Sequence, residues 1–218
     1  MYKACIFDMD GTVADTLKSI AYFANKALKK YGFDEIETEV YKVLVGDGYR
    51  ILADRMLNYV AKDNFTNEQY EAVAEEYKVT YDDDFLYLTE SYDGIIDLLK
   101  ALKEKGVKVG ILTNKPQMTA VQVSDVLFGD LVDVIVGQTD GAPIKPDIRT
   151  IENIMEKLGV TADEIIYLGD TATDMKTGRS VDAFTLGVSW GFRTVDELLQ
   201  NGADAIVNHP MEVMEYIK

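Results

Sequence analysis

Asp8 and Asp10 stand two residues apart in Asp8-Met9-Asp10-Gly11-Thr12, directly after the apolar run Ala4, Cys5, Ile6 and Phe7. In an extended segment residues i and i+2 share a face and each residue rises about 3.3 Å, so two such carboxylates can address one small substrate. The pairing suits phosphoester hydrolysis in two steps. Asp8 attacks phosphorus as a carboxylate nucleophile, and Asp10 protonates the leaving oxygen and later takes a proton from water. Gly11 lets the backbone turn sharply and, lacking a Cβ, leaves room for a bulky anion. Taken alone, Asp-x-Asp-Gly also reads as an ordinary turn.

Three further polar clusters follow later apolar runs: Thr113-Asn114-Lys115-Pro116, Lys145-Pro146, and Gly169-Asp170-Thr171 with Asp174 behind it. A phosphate, a nucleophile and an acid-base pair are all anionic, so the chemistry needs a countercharge. Magnesium, with an octahedral oxygen shell at about 2.0–2.1 Å, fits a chain whose candidate ligands are carboxylates. Asp8 and Asp170 are the expected side-chain ligands, Asp10 can add its backbone carbonyl, and Asp174 can hold coordinated waters. Thr113, the Asn114 backbone N–H and Lys145 supply donors and positive charge to the transferring phosphoryl oxygens. Each has a plainer reading on its own: a solvated lysine, a strand-end hydroxyl, an Asp that caps a helix.

The elements around these clusters must bring them together. Strand patterns at residues 2–7, Val107–Leu112, Val132–Val136, Ile165–Leu168, Ala183–Val188 and Ala205–Val207 alternate with helical stretches at Gly94–Lys105, Gln117–Leu127, Ile148–Leu158 and Met175–Arg179, ahead of a terminal helix. That alternation predicts an α/β fold with a doubly wound parallel sheet, whose ligands bind beyond the carboxyl ends of the strands. All four clusters then lie on one rim. Residues 16–84 show helical spacing instead, as in Leu17, Ile20, Phe23, Ala24 and Ala27 before Gly32, in Ile51 to Val60, and in Tyr70 to Tyr77. The expected organisation is a core of residues 1–15 and 85–218 with a helical insertion of residues 16–84, Asp82-Asp83-Asp84 marking an exposed hinge.

A chain of 218 residues, 47% hydrophobic, is long enough for one such core and a modest insertion. Its 38 acidic against 22 basic residues argue against a nucleic-acid partner. The single Cys5 lies within the first strand and forms no internal disulfide, His209 reads as a surface residue, and one of each is too few for a zinc site. No apolar run approaches the roughly 18 residues of a membrane span, and no leader precedes the first strand, so a cytoplasmic protein without a membrane partner is expected.

The order of the four clusters resembles the haloacid dehalogenase-like hydrolase superfamily across the whole chain. The resemblance implies Asp8 as nucleophile, Asp10 as acid-base, Thr113 and Lys145 as stabilisers of phosphate and nucleophile, and Asp8, Asp10 and Asp170 as the magnesium site, with Asp174 completing the last motif. It implies an α-helical cap for the insertion, closing over substrate. Gly46-Asp47-Gly48 with Arg50 and Arg55, and Val188-Ser189-Trp190-Gly191, look most like the phosphoglycolate phosphatase group, although Gly46 and Gly48 also read as helix punctuation and Trp190 as packing beneath the rim. Expected substrate contacts are Gly11, Thr12, Asn114, Gly46, Asp47 and Arg50, the last pairing with a substrate carboxylate. Ile148 stands where the family often has a second proline after Lys145-Pro146. The expected partner is a small phosphorylated metabolite bound by a monomer or homodimer. A pyrophosphatase or a β-phosphoglucomutase-like mutase fits the same motifs, and a receiver-like phospho-Asp signalling module is the reading from another class; the acid at Asp10 and the inserted helices oppose it.

Overall fold

The computed structural model describes residues 1–217. They divide into two compact units, one made of residues 1–15 and the chain from Ser91 onward, the other of Thr16–Glu90. In chain order, β1 (Ala4–Phe7) and β2 (Ala14–Asp15) precede α1 (Leu17–Lys30), α2 (Tyr41–Leu44), α3 (Tyr49–Ala61) and α4 (Asn67–Asp83). After β3 (Glu90–Ser91) come α5 (Ile95–Glu104), β4 (Lys108–Pro116), α6 (Gln117–Leu127), β5 (Val134–Gln138), α7 (Ile148–Leu158), β6 (Ile165–Gly169), α8 (Ala172–Arg179), β7 (Phe184–Val188), α9 (Val195–Gln200) and β8 (Ala205–Val207).

The α/β unit is built on a six-stranded sheet in the order β5-β4-β1-β6-β7-β8. Every pairing in it is parallel. Parallel neighbours need crossovers, and the helices between strands provide them, flanking the sheet. Strand order reverses beside β1, so the open end of the sheet lies where β1, β4 and β6 finish. β1 is buried on both faces, which its unbroken apolar run anticipates. On one face Ala4, Ile6, Leu112, Ile165 and Tyr167 pack against Ile151, Ile154 and Leu158 of α7. Burial of each large aliphatic side chain there contributes about 1.5–3 kcal/mol.

The helical unit packs α1 against α4 through aromatic edges. Phe23 meets Tyr81 at 5.6 Å and Tyr87 at 6.1 Å between ring centroids, both edge-on. Asn25 closes the loop after α1, its side chain bonding both the N–H and the carbonyl of Ile36 at 2.8 Å. Thr66 and Gln69 form a reciprocal capping box that starts α4.

Three expectations shift. The second unit ends at Glu90 rather than residue 84, because Tyr87 returns to meet Tyr22 at 4.7 Å with tilted rings and Phe23 edge-on. Asp82 and Asp83 are the last turn of α4 and Asp84 its C-cap, not a hinge. The expected terminal helix is a 3₁₀ segment, Pro210–Glu215.

Candidate active site

The turn after β1 is drawn tight by one carbonyl. Met9 O accepts the N–H groups of Thr12, Val13 and Ala14 at 3.2, 3.0 and 2.9 Å, and Gly11 N–H closes on Ala14 O at 2.9 Å. Gly11 sits at φ +88°, and a Cβ there would collide with the carboxylate of Asp170. The space left by the missing side chain is therefore filled by Asp170, not held open for a substrate anion. Thr12, expected among the substrate contacts, donates its hydroxyl to Asp170 Oδ1 at 2.9 Å. Phe192 N–H holds Asp170 Oδ2 at 2.8 Å, and Trp190 Nε1–H donates to Thr12 O at 2.9 Å.

Lys145 is the cation at the centre. Its side chain is 2% exposed, and Nζ lies 2.8 Å from Asp8 Oδ1 and 2.7 Å from Asp174 Oδ1. The Asn114 side chain grips the backbone of Lys145 from both sides, Nδ2–H donating to the carbonyl at 3.3 Å and Oδ1 accepting the N–H at 2.8 Å. Asp174 also accepts the Tyr167 hydroxyl at 3.2 Å on Oδ1, and the Thr171 N–H and hydroxyl at 3.1 and 2.6 Å on Oδ2. Thr171 and Asp174 form the capping box that starts α8, so Asp174 is a fully occupied acceptor that fixes Lys145. Thr113 lies within the buried run of β4, which extends to Lys115, and its Oγ1 accepts Lys115 N–H at 3.2 Å.

Asp8, Asp170 and Asp174 each bring a carboxylate oxygen within 4.8 Å of the others, all buried. Burial first, then the charges of Asp174 and Asp10, push the Asp8 carboxyl up to about 7 against the opposing pull of Lys145. Burial followed by Asp174 and Asp8 also holds Asp170 well above the usual carboxylate range. Burial works against the charge on Lys145, but Asp174 and Asp8 override it and hold the ammonium above its ordinary value. One lysine among three buried carboxylates leaves negative charge to be neutralised, and the donors are all hard oxygens. That set suits magnesium, with Asp8 and Asp170 better placed as ligands than the saturated Asp174.

Asp10 stands apart from that trio, its carboxylate facing the ammonium of Lys115. Lys115 was not among the expected site residues. Its position two residues after Thr113 on one strand, where alternate side chains share a face, is the signal that identifies it.

Gly46, Asp47 and Arg50 lie in the helical unit. Gly48 is the N-cap of α3, and Asp47 binds Arg55 Nη2 at 2.5 Å while Arg55 Nη1 donates to Leu44 O at 2.8 Å. Arg50 pairs with both oxygens of Glu71 at 3.1 and 3.0 Å, and both side chains are about half exposed.

Residues 5–188 match the family model described as haloacid dehalogenase-like hydrolase. The phosphoglycolate phosphatase of Aquifex aeolicus is 30% identical over 87% of this chain and 86% of its own. The N-acetylmuramic acid 6-phosphate phosphatase of Pseudomonas aeruginosa is 26% identical over 99% of this chain and 94% of its own. A crystal structure of a candidate phosphoglycolate phosphatase from Lactobacillus delbrueckii subsp. bulgaricus superposes with a TM-score of 0.93 at 31% identity, covering 99% of this chain and 98% of the other. With the carboxylates and lysines of its strand ends gathered on one rim, the chain belongs to the haloacid dehalogenase-like hydrolases.

Proposed function

We propose that the chain hydrolyses a small phosphate monoester through an aspartyl-phosphate on Asp8, with magnesium as its cofactor and phosphoglycolate as the leading substrate. The observation that carries the reading is Lys145, buried and bonded at once to Asp8 and Asp174. With Oδ1 of Asp8 held by that ammonium, Oδ2 is the oxygen available to phosphorus. Its attack forms the new P–O bond as the bond to the leaving oxygen breaks, and Asp10 gives that oxygen its proton. Asp10 then takes a proton from water, whose oxygen attacks phosphorus and releases phosphate and Asp8. Lys145 beside Asp8 and the Thr113 hydroxyl would serve as donors to the phosphoryl oxygens, and Asn114 holds the Lys145 backbone in place. A bound magnesium ion neutralises phosphate and carboxylate charge, and Asp8, Asp170 and the Asp10 carbonyl would hold it.

For the substrate, support comes from the phosphoglycolate phosphatases among the relatives, and Arg50 is the side chain we propose to meet a substrate carboxylate. Half-exposed pairs such as Arg50–Glu71 contribute at most about 1 kcal/mol, so a ligand carboxylate can take the place of Glu71. The test is phosphate release with magnesium from 2-phosphoglycolate, N-acetylmuramic acid 6-phosphate, pyrophosphate, β-glucose 1-phosphate and p-nitrophenyl phosphate. Preference for 2-phosphoglycolate that Arg50→Ala abolishes, with p-nitrophenyl phosphate turnover unchanged, supports the assignment. Preference for another member reassigns the substrate, and full activity in Asp8→Asn overturns the mechanism.

A further inference from the structure

Lys115 is the buried cation that the scheme above leaves without a task. Its side chain is 5% exposed, and Nζ lies 3.0 Å from Asp10 Oδ1 and 3.1 Å from Asp10 Oδ2. Near-equal contacts to both oxygens fix the plane of a carboxylate as well as its position, whereas a single contact leaves it free to swivel. The lysine is itself anchored within β4, since its N–H donates to Thr113 Oγ1. Asp10, by contrast, hangs on the turn from Met9 to Ala14 with its side chain 21% exposed. Two buried lysines from two different segments thus divide the site: Lys145 holds Asp8, and Lys115 holds Asp10.

We propose that Lys115 is a positioning residue for Asp10, setting the carboxylate where it can pass a proton to the leaving oxygen. The inference rests on the reading of Asp10 as the acid-base group. General acid catalysis is worth about 10²–10⁴ in rate and depends first on hydrogen-bond reach, so a displaced Asp10 forfeits much of it. An alkoxide leaves poorly without a proton, while p-nitrophenolate leaves readily as an anion. Loss of positioning therefore falls on alkyl phosphates, and a general loosening of the site falls on both substrates alike.

The experiment measures kcat and KM for wild type, Lys115→Met, Lys115→Arg and Asp10→Asn, on p-nitrophenyl phosphate and on the alkyl phosphate turned over fastest among the substrates named for the phosphate-release test. Lys115→Met is expected to lose kcat on the alkyl phosphate about tenfold to a hundredfold more than on the aryl one. KM should change little for either, Lys115→Arg should recover most of the difference, and Asp10→Asn should show the same bias more strongly. Equal losses on both substrates, or no loss, in a Lys115→Met protein beside a biased Asp10→Asn would overturn the positioning role alone. An Asp10→Asn protein without bias would overturn the acid-base reading and the proposal together. Should Lys115→Met not fold, Lys115→Gln, which offers a donor to one Asp10 oxygen only, takes its place: a larger loss on the alkyl phosphate supports the positioning role, and equal losses overturn it.

Discussion

Lys145 Nζ lies 2.7 Å from Asp174 Oδ1, an oxygen that also accepts the Tyr167 hydroxyl, so the lysine is fixed from behind while its second contact reaches Asp8. Removing one member of a buried ion pair leaves the other uncompensated, at about 3–5 kcal/mol. Lys145→Met should therefore lower the stability of the metal-free protein by that amount at pH 8. Its kcat should fall about 10²–10³-fold, the usual effect of removing one electrostatic stabiliser. Urea titrations in a chelator and phosphate-release assays check both, and an unchanged urea midpoint would contradict the central placement of this lysine.

Asp8 presents the reverse case. Its carboxyl is pushed up to about 7 because burial, Asp174 and Asp10 outweigh Lys145, so its charged form is disfavoured in the folded protein. Asp8→Asn should abolish turnover and yet raise the melting temperature of the metal-free protein at pH 8. Calorimetry beside an activity assay decides it. A lower melting temperature would mean that the bond to Lys145 outweighs the repulsion.

The same shift sets a dependence on pH. A carboxyl with a raised pKa binds more protons folded than unfolded, so its contribution is greatest below the unfolded value near 4 and is lost as pH rises through about 7. Asp170 is raised as well and acts in the same direction. Asp147, held down to about 2 by Arg149, acts oppositely but only at more acid pH. In chelator the melting temperature should fall between pH 5.5 and 8, and magnesium should raise it more at pH 8 than at pH 5.5, since the metal binds deprotonated ligands. Melts across that grid measure it; a magnesium effect independent of pH would argue against Asp8 and Asp170 as ligands.

Gly11→Ala tests the packing of the turn. The new Cβ would press on the Asp170 carboxylate from a backbone at φ +88°, and a strained residue of this kind costs about 1–3 kcal/mol. The expected result is a protein destabilised to that degree that needs more magnesium for half-maximal activity. A normal magnesium requirement would separate Gly11 from the placement of Asp170.

Much of this architecture was readable from the chain. α6 and α7 keep the bounds that their helical spacing predicts, and β8 does too. Asp8 and Asp170 meet because parallel strands finish on the same side, a property of topology that sequence alternation reveals, and Lys145 reaches Asp8 from the segment between β5 and α7. The roles of Gly11 and Thr12 were not readable. Both face Asp170, 158 residues beyond Thr12, and no local pattern encodes a contact of that range. Thr113 and Lys115 carried a usable signal in their two-residue spacing, but the partner of Lys115, Asp10, lies 105 residues earlier. The end of the helical unit was misplaced because three consecutive aspartates look like a loop, whereas Tyr87 extends the aromatic packing past them.

Asp8 and Asp170 leave neighbouring strands whose last paired residues include Phe7 opposite Leu168, and Asp8 N–H is still bonded to Leu168 O at 2.9 Å. Adjacent strands lie about 4.8 Å apart whatever side chains they carry. The gap between the Asp8 and Asp170 positions is thus a gauge cut in main-chain amides, indifferent to most substitutions. Set by the pairing of β1 with β6, that spacing holds however the residues of the helical unit after Asp15 are replaced, a ruler that belongs to the sheet alone.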